Sequence, residues 1–350
     1  MHGPQIPISI LINVLTFSIS LGFFYVANRN LLLRIETLNE QFHDLQDQRQ
    51  AEPIKLEYNH SLFSKTKHHQ ADYNFSDSEQ NFLSKIDCKI TKQPKNFFTI
   101  IPLISQPGAG NTWVRFLIEQ ATGFLTGSIY KDGHLYQHLK GEFLDPMEGE
   151  SVVSKSHNIR HFRTLYGESK LFNYTKQRTI SSHLKLKGCI HLIRNPRDAI
   201  RAEFTRRNSH SHTNNWVDFN HLTKNQKLAW EEVSNRASRI FPGAHADVHD
   251  CCEDYHLILY ENLKKGLDEL ISEMEKLVDY LNSKNKIEIP VRKACLIKNY
   301  EGHYHRKHDV KKMVDDFSSY FSESSRIEYN KRLKVLNQTF DGKLPSDYKM

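Results

Sequence analysis

The chain has 350 residues, 38% of them hydrophobic and 25% charged, an ordinary globular composition with room for one large domain plus accessories. Its 48 basic and 41 acidic residues give a formal charge of +7, which suits an anionic ligand without naming one; no nucleic-acid partner is expected. Five cysteines exclude a disulfide-framework domain and, being odd in number, leave at least one thiol outside any intrachain pair. With no C-x-x-C or H-E-x-x-H motif, no metal site is expected either.

Residues Pro7 to Ala27 hold no charged side chain and are mostly apolar, about the length that crosses a bilayer as a helix. A basic leader is lacking and the apolar run is long, so an uncleaved anchor fits better than a signal peptide. Residues 1–6 would then be a short cytoplasmic tail. Leu31, Ile35, Leu38, Phe42 and Leu45 continue with a heptad seam of about two heptads, which could pair two chains or simply extend the span. Residues 28–96 read as a polar stem or linker, rich in His, Asn, Ser and Lys from about Arg49. Four N-x-[ST] sequons place candidate glycosylation at Asn59, Asn74, Asn173 and Asn337. Arg29 and Arg34 alone would put the C-terminal flank in the cytoplasm; the two sequons in the stem favour the lumen and are given more weight.

An apolar run, Phe97 to Ile104, leads into Ser105-Gln106-Pro107-Gly108-Ala109-Gly110-Asn111-Thr112-Trp113. A helix follows over Thr112 to Thr122, with Gly123 placed as its stop. Strand, glycine turn and helix start make a phosphate cradle, because glycines let the backbone approach an anion and the first helical N–H groups point at it. Asn111 stands where the nucleotide P-loop G-x-x-x-x-G-K-[ST] has its lysine, so ATP or GTP turnover is disfavoured. Pro102 sits awkwardly in this run; the strand is expected to begin after it, at Leu103, or to bulge there.

Ser151 to His157 reads as a short strand with Lys155 and His157 on one side, able to neutralise and deprotonate reacting groups in a cleft. Cys189 to Ile193 is an apolar strand, followed by a marked helix start: Asn195 as N-cap, Pro196 in the first helical position and Asp198 in the first turn. Arg194 is placed at that strand's end to grip an anion. His256 to Tyr260 is a further strand, and Leu263 to Leu281 an amphipathic helix. Alternating strands and helices predict an α/β fold with a mostly parallel sheet covered on both faces, whose ligands bind at the carboxyl ends of the strands. The cradle, Lys155 with His157, and Arg194 all fall at such ends.

Together these motifs resemble the sulfotransferases that use 3′-phosphoadenosine 5′-phosphosulfate, over roughly Phe97 to Leu336. Ser105 to Trp113 looks like the family's 5′-phosphosulfate loop, Arg194-Asn195-Pro196-Arg197-Asp198 its 3′-phosphate motif, Lys155-Ser156-His157 its K-T-H segment, and Tyr260-Glu261-Asn262-Leu263 its Y-E-x-L core segment. The likeness extends to the sulfotransferase domain of WSC domain-containing proteins, in PGAGNTWVR, IEQATGF and Glu301-Gly302; the cysteine-rich WSC modules are absent.

The resemblance implies a P-loop-like sulfotransferase fold over residues 97–345, with Pro107 to Trp113 and Arg194 holding the donor. Arg306 and Lys307 would close over its 3′-phosphate, His157 would serve as base and Lys155 as cation, with no metal. It further implies a single-pass type II Golgi membrane protein that sulfates a carbohydrate hydroxyl on a glycan, glycoprotein or glycolipid, the hydroxyl being that of sialic acid in the likened proteins. Two positions depart from the pattern. Gly108 replaces a loop lysine, and Ala202 a serine eight residues after Arg194. Lys155 is then the nearest cation for the leaving group, with Arg115 behind it. Should His157 not be the base, His210, His212 and Glu142 come next. The departures favour a second reading, a tethered nucleotide- or glycan-binding protein; the third, a nucleotide kinase, is disfavoured by Asn111.

Overall fold

The structure is a computed structural model that describes residues 76–160, 185–209, 221–285, 287–304 and 322–339, with 162, 217, 342, 344 and 345–348. By its contacts the chain divides into Met1–Thr66 and Lys67–Met350, and the described residues belong to the second unit. The expected span 7–27, the heptad seam, and the sequons at Asn59, Asn74 and Asn173 lie outside the described residues. Among the described residues no helix is long and apolar enough to cross a membrane.

Five strands form one sheet: β1 Pro102–Ser105, β2 Gly127–Ser128, β3 Ser154–Ser156, β4 Cys189–Ile193 and β5 Tyr255–Leu259. They run in the order β2-β3-β1-β4-β5, and every pairing is parallel. The helices are α1 Asp77–Ser84, α2 Asn111–Thr122, α3 Pro196–Ser209, α4 Lys224–Cys251, α5 Leu267–Lys284, α6 Lys293–Asn299 and α7 Glu323–Thr339. Parallel strands need crossovers, and α2, α3 and α4 lie in the connections between successive strands.

Alternation along each strand explains why both faces are covered. On β1, Leu103 joins the larger core with Val114, Leu117 and Ile118 of α2 and Met274, Leu277 and Leu281 of α5. Its neighbour Ile104 joins the opposite core with Phe162, Val248 and Cys252. Ile190 and Leu192 of β4 face the first core, whereas Ile193 meets Tyr329 and Leu333 of α7 on the other side. Pro102 is the first residue of β1, a strand position that tolerates a missing N–H, so no bulge is needed.

The linker expected over 28–96 is corrected at its C-terminal end. Ser76 and Glu79 form a capping box on α1, and Leu83 is buried. Arg292 donates to the carbonyls of Lys89 and Asp87, Lys298 to those of Ser84 and Ile86, and Cys88 is disulfide-bonded to Cys295. Residues 76–96 are therefore part of the domain, tied down by polar contacts that carry no periodicity. The other end extends past 345, because Tyr348 is buried and its hydroxyl donates to Glu261 at 2.5 Å. A second disulfide joins Cys189 to Cys252, while Cys251 keeps its thiol within the core. The Asn337 side-chain oxygen accepts from the Leu344 amide at 3.1 Å, which holds the end of α7 against the C-terminal segment.

One buried ion pair crosses this fold. Arg115, on α2, is fully buried and reaches Glu142 at 2.5 Å, with further bonds to the Thr126 hydroxyl and carbonyl. Removing one member of a buried pair strands the other charge, at a cost of about 3–5 kcal/mol. Glu142→Ala should lower unfolding stability by about that much in urea; a loss below about 1 kcal/mol, the scale of exposed pairs, would show the pair to be dispensable.

Candidate active site

The site is built from the carboxyl ends of three adjacent strands. β1 lies between β3 and β4, and the register sets Ile104 beside Ser156 and Ser105 beside Leu192. The residues that leave these strands, Gln106 onward, His157 and Arg194, therefore share one rim.

The loop after β1 turns through Gly108 at φ +81° and caps α2 with Gly110 at φ +90°, values that favour glycine. The first helical bond around this start is Val114 N–H to Gly110 O, so the preceding backbone amides are those the helix itself does not use. Pro107, Gly108, Gly110 and Thr112 are half-exposed at the rim, while Ala109, Asn111 and Trp113 are buried beneath it. The Asn111 amide donates to the Ser105 hydroxyl at 2.9 Å, bracing helix to strand. The Trp113 indole donates to the Tyr300 carbonyl at 3.0 Å and packs edge-on against Tyr260. Their side chains shape the loop rather than face a ligand.

Gly108 packs against α3. A Cβ there would lie 2.0 Å from the Ala199 carbonyl oxygen, and Gly110 likewise faces the Tyr260 ring at 2.3 Å. Arg194 joins the same assembly, donating to the Gly108 carbonyl at 2.9 Å with its guanidinium 4.5 Å from the Tyr260 ring centroid. Its Nε is buried without a hydrogen-bond partner, and among the described residues no carboxylate lies at ion-pair distance from it. The helix start after it forms as expected: the Asn195 side chain accepts from the Arg197 amide at 3.1 Å, with Pro196 in the first helical position. Glu261 holds the Asn195 amide at 2.8 Å, which gives the Y-E-x-L segment a bracing task.

Across β1, Lys155 is buried, and its ammonium lies 5.6 Å from the Tyr130 ring centroid. Burial, followed by the charge of Arg115, pushes its pKa down to about 8. His157 donates from Nδ1 to the Ser105 carbonyl at 2.8 Å, because a carbonyl can only accept; Nε2 is thereby left with its lone pair. Burial first and the Lys155 charge second push the imidazole down to about 3, so it is neutral at ordinary pH. A neutral base and a buried cation stand side by side.

Several expectations are redirected. Arg115 is spent on Glu142 and Thr126, which removes it as a cation for the leaving group and removes Glu142 as an alternative base. Arg306, Lys307, His210 and His212 lie outside the described residues. Two residues were not singled out from sequence. Lys264 is half-buried, and burial and then the nearby charge of Arg194 lower its pKa; only its place after Glu261 hinted at this. Tyr130 follows a two-residue strand, too short for any periodicity to reveal. Among the described residues no cluster of three or more His, Cys, Asp or Glu could hold a metal.

Fold and site thus define an α/β protein with a glycine-built strand-to-helix loop beside a lysine–histidine pair. Three insect proteins named as WSCD family members are similar to this chain. One from Aedes aegypti is 30% identical over 219 residues, 59% of this chain and 56% of that protein. One from Drosophila melanogaster is 26% identical over 277 residues, 75% of this chain and 73% of that protein. One from Drosophila pseudoobscura pseudoobscura is 28% identical over 249 residues, 67% and 64%. The chain therefore spans little more than half the length of the first of these. No protein-family profile matches the chain, and no solved structure does.

The packing at Gly108 generates a direct test. Gly108→Ala sets a methyl group against backbone, which cannot swing aside, and should cost about 1–3 kcal/mol of stability. Gly110→Ala meets a side-chain ring and should cost less. Urea unfolding of the two variants decides it; equal, small losses would mean that the loop is not held against α3.

Proposed function

We propose that the protein is a sulfotransferase of the WSCD kind, moving a sulfuryl group from 3′-phosphoadenosine 5′-phosphosulfate to a carbohydrate hydroxyl. The observation that carries this reading is the meeting of the glycine cradle, Arg194, and the Lys155–His157 pair on one rim. Relatives named as WSCD family members support the same direction.

The residues present fit the donor. The turn through Gly108 and Gly110 puts loop amides ahead of the first helical bond, and the partnerless buried Nε of Arg194 suits a phosphate oxygen. Pro107, Gly108, Gly110 and Thr112 would border the 5′ end, with Arg194 and Lys264 towards the 3′-phosphate. His157 Nε2 would accept the proton of the acceptor hydroxyl, a contribution of about 10²–10⁴-fold for a positioned base. Lys155, together with loop amides, would stabilise charge on the transferring group. Arg306 and Lys307 remain proposed as the covering loop.

Two disulfides suit an oxidising compartment, which supports a lumenal domain behind an anchor at 7–27, in the Golgi, with a glycan acceptor. The alternative of a non-catalytic binding protein leans on Gly108 and Ala202. The contact with Ala199 accounts for Gly108 by packing, which leaves Ala202 as the departure that favours that reading.

Isothermal titration should find adenosine 3′,5′-bisphosphate bound far better than ATP; the reverse order would sink the proposal. Arg194→Ala should weaken the bisphosphate by about 1.5–3 kcal/mol and adenosine 5′-phosphate far less, whereas equal losses would make the arginine structural. With labelled donor and a panel of sialyllactose, N-acetyllactosamine and chondroitin, His157→Ala should lower transfer by at least about 10²-fold while sparing nucleotide binding.

The pH profile has a fixed sign. His157 is neutral across the working range, so kcat/KM has no acid limb near pH 6 from this group. Lys155 loses its charge as pH rises through about 8, so kcat/KM should fall on that side. A profile rising through pH 8–9 would show that charged Lys155 is not required.

A further inference from the structure

We propose that Tyr130 is a positioning residue for His157, its hydroxyl and ring together fixing the imidazole so that Nε2 faces the reacting hydroxyl. This rests on His157 being the base.

His157 is the first residue beyond β3, where its amide has left the strand ladder. The Tyr130 hydroxyl oxygen accepts that amide's proton at 2.8 Å. The same ring lies beside the imidazole, with centroids 5.2 Å apart and planes inclined at 32°. One side chain therefore holds both the backbone and the ring of His157, while Ser105 on β1 holds Nδ1. Two fixed points and a covered face leave the imidazole little rotational freedom.

Tyr130 itself is held in place. The Ile129 amide donates to the Lys155 carbonyl at 3.1 Å, and the Tyr130 amide to the Ser128 hydroxyl at 3.1 Å. The Asp132 amide donates to Glu142, the carboxylate paired with Arg115. Yet Tyr130 is 42% exposed, so burial in the core does not explain its placement. The charged and titratable groups facing His157 are Lys155 on β3, Glu203 and Arg206 on α3, and Tyr130. Glu203 is bonded to both Arg206 and Arg207, which spends much of its charge locally. Burial is the leading cause that keeps the imidazole neutral, and the Tyr130 ring is part of that cover.

The test uses the full chain with histidine side chains isotopically labelled, the His157 signal being assigned by its loss in His157→Ala. Tyr130→Phe keeps the ring, so His157 should remain neutral on acidification, with kcat reduced by up to about 10²-fold and donor KM unchanged. Tyr130→Ala uncovers the ring, and the imidazole should begin to titrate at higher pH, carrying the acid limb of transfer to the panel sugars with it. If both variants leave the His157 titration as in the parent, the proposal is overturned. It is equally overturned if both lose thermal stability and bisphosphate affinity in parallel, because Tyr130 is then structural. A shifted titration with unchanged transfer supports the positioning and overturns instead the assignment of His157 as base.

Discussion

The contact between Gly108 and the backbone of α3 fixes the distance between the two halves of the candidate site. Arg194 donates to the carbonyl of the same residue whose absent side chain lets Ala199 approach. Loop and helix start are thus one body, with the Tyr260 ring wedged under Gly110 and beneath the guanidinium. A lysine at this position would have no room: it would need both a positive φ and the space occupied by a carbonyl oxygen. The cation on the same rim comes from another strand: β3 carries Lys155 on the far side of β1.

The second constraint is the Arg115 pair. Arg115, Glu142 and Glu119 are all buried, one cation among two carboxylates. Burial pushes Glu119 up to about 7, which reduces the negative charge the cluster holds near neutrality. Its structural result is local. Glu142 also accepts from the Asp132 amide, which anchors the loop that carries Tyr130 to His157. Core electrostatics and the geometry of His157 are connected through a single carboxylate.

The legible parts of the chain were those where punctuation coincided with pattern. Gly123 stops α2 with its own N–H on Glu119, Asn195 and Pro196 start α3, and Cys189–Ile193 is the strand the apolar run described. What was missed has physical reasons. β2 has two residues, and residues 76–96 are fastened by arginine, lysine and disulfide contacts to positions 200 residues away, which no local period encodes. Asn111 and Trp113 sit inside a motif that reads as ligand-binding throughout. Yet both side chains turn inward, Asn111 onto Ser105 and Trp113 onto the Tyr300 carbonyl.

Lys155 and His157 illustrate how one environment sets two opposite protonation states. The same burial that removes charge from the imidazole also weakens the ammonium, but from a much higher starting value, so one group is neutral and the other still charged near neutrality. Each reinforces the arrangement: the ammonium disfavours a second positive charge on His157, and among the described residues no carboxylate at ion-pair distance competes for Lys155. On the proposed reading an arriving anion supplies the missing countercharge and restores the lysine's affinity for its proton. His157 stays neutral chiefly because it stays buried, with the persisting Lys155 charge second. Charge at the rim is thereby completed by the ligand, which is the condition under which a buried lysine contributes more to a developing transition-state charge than to the resting protein.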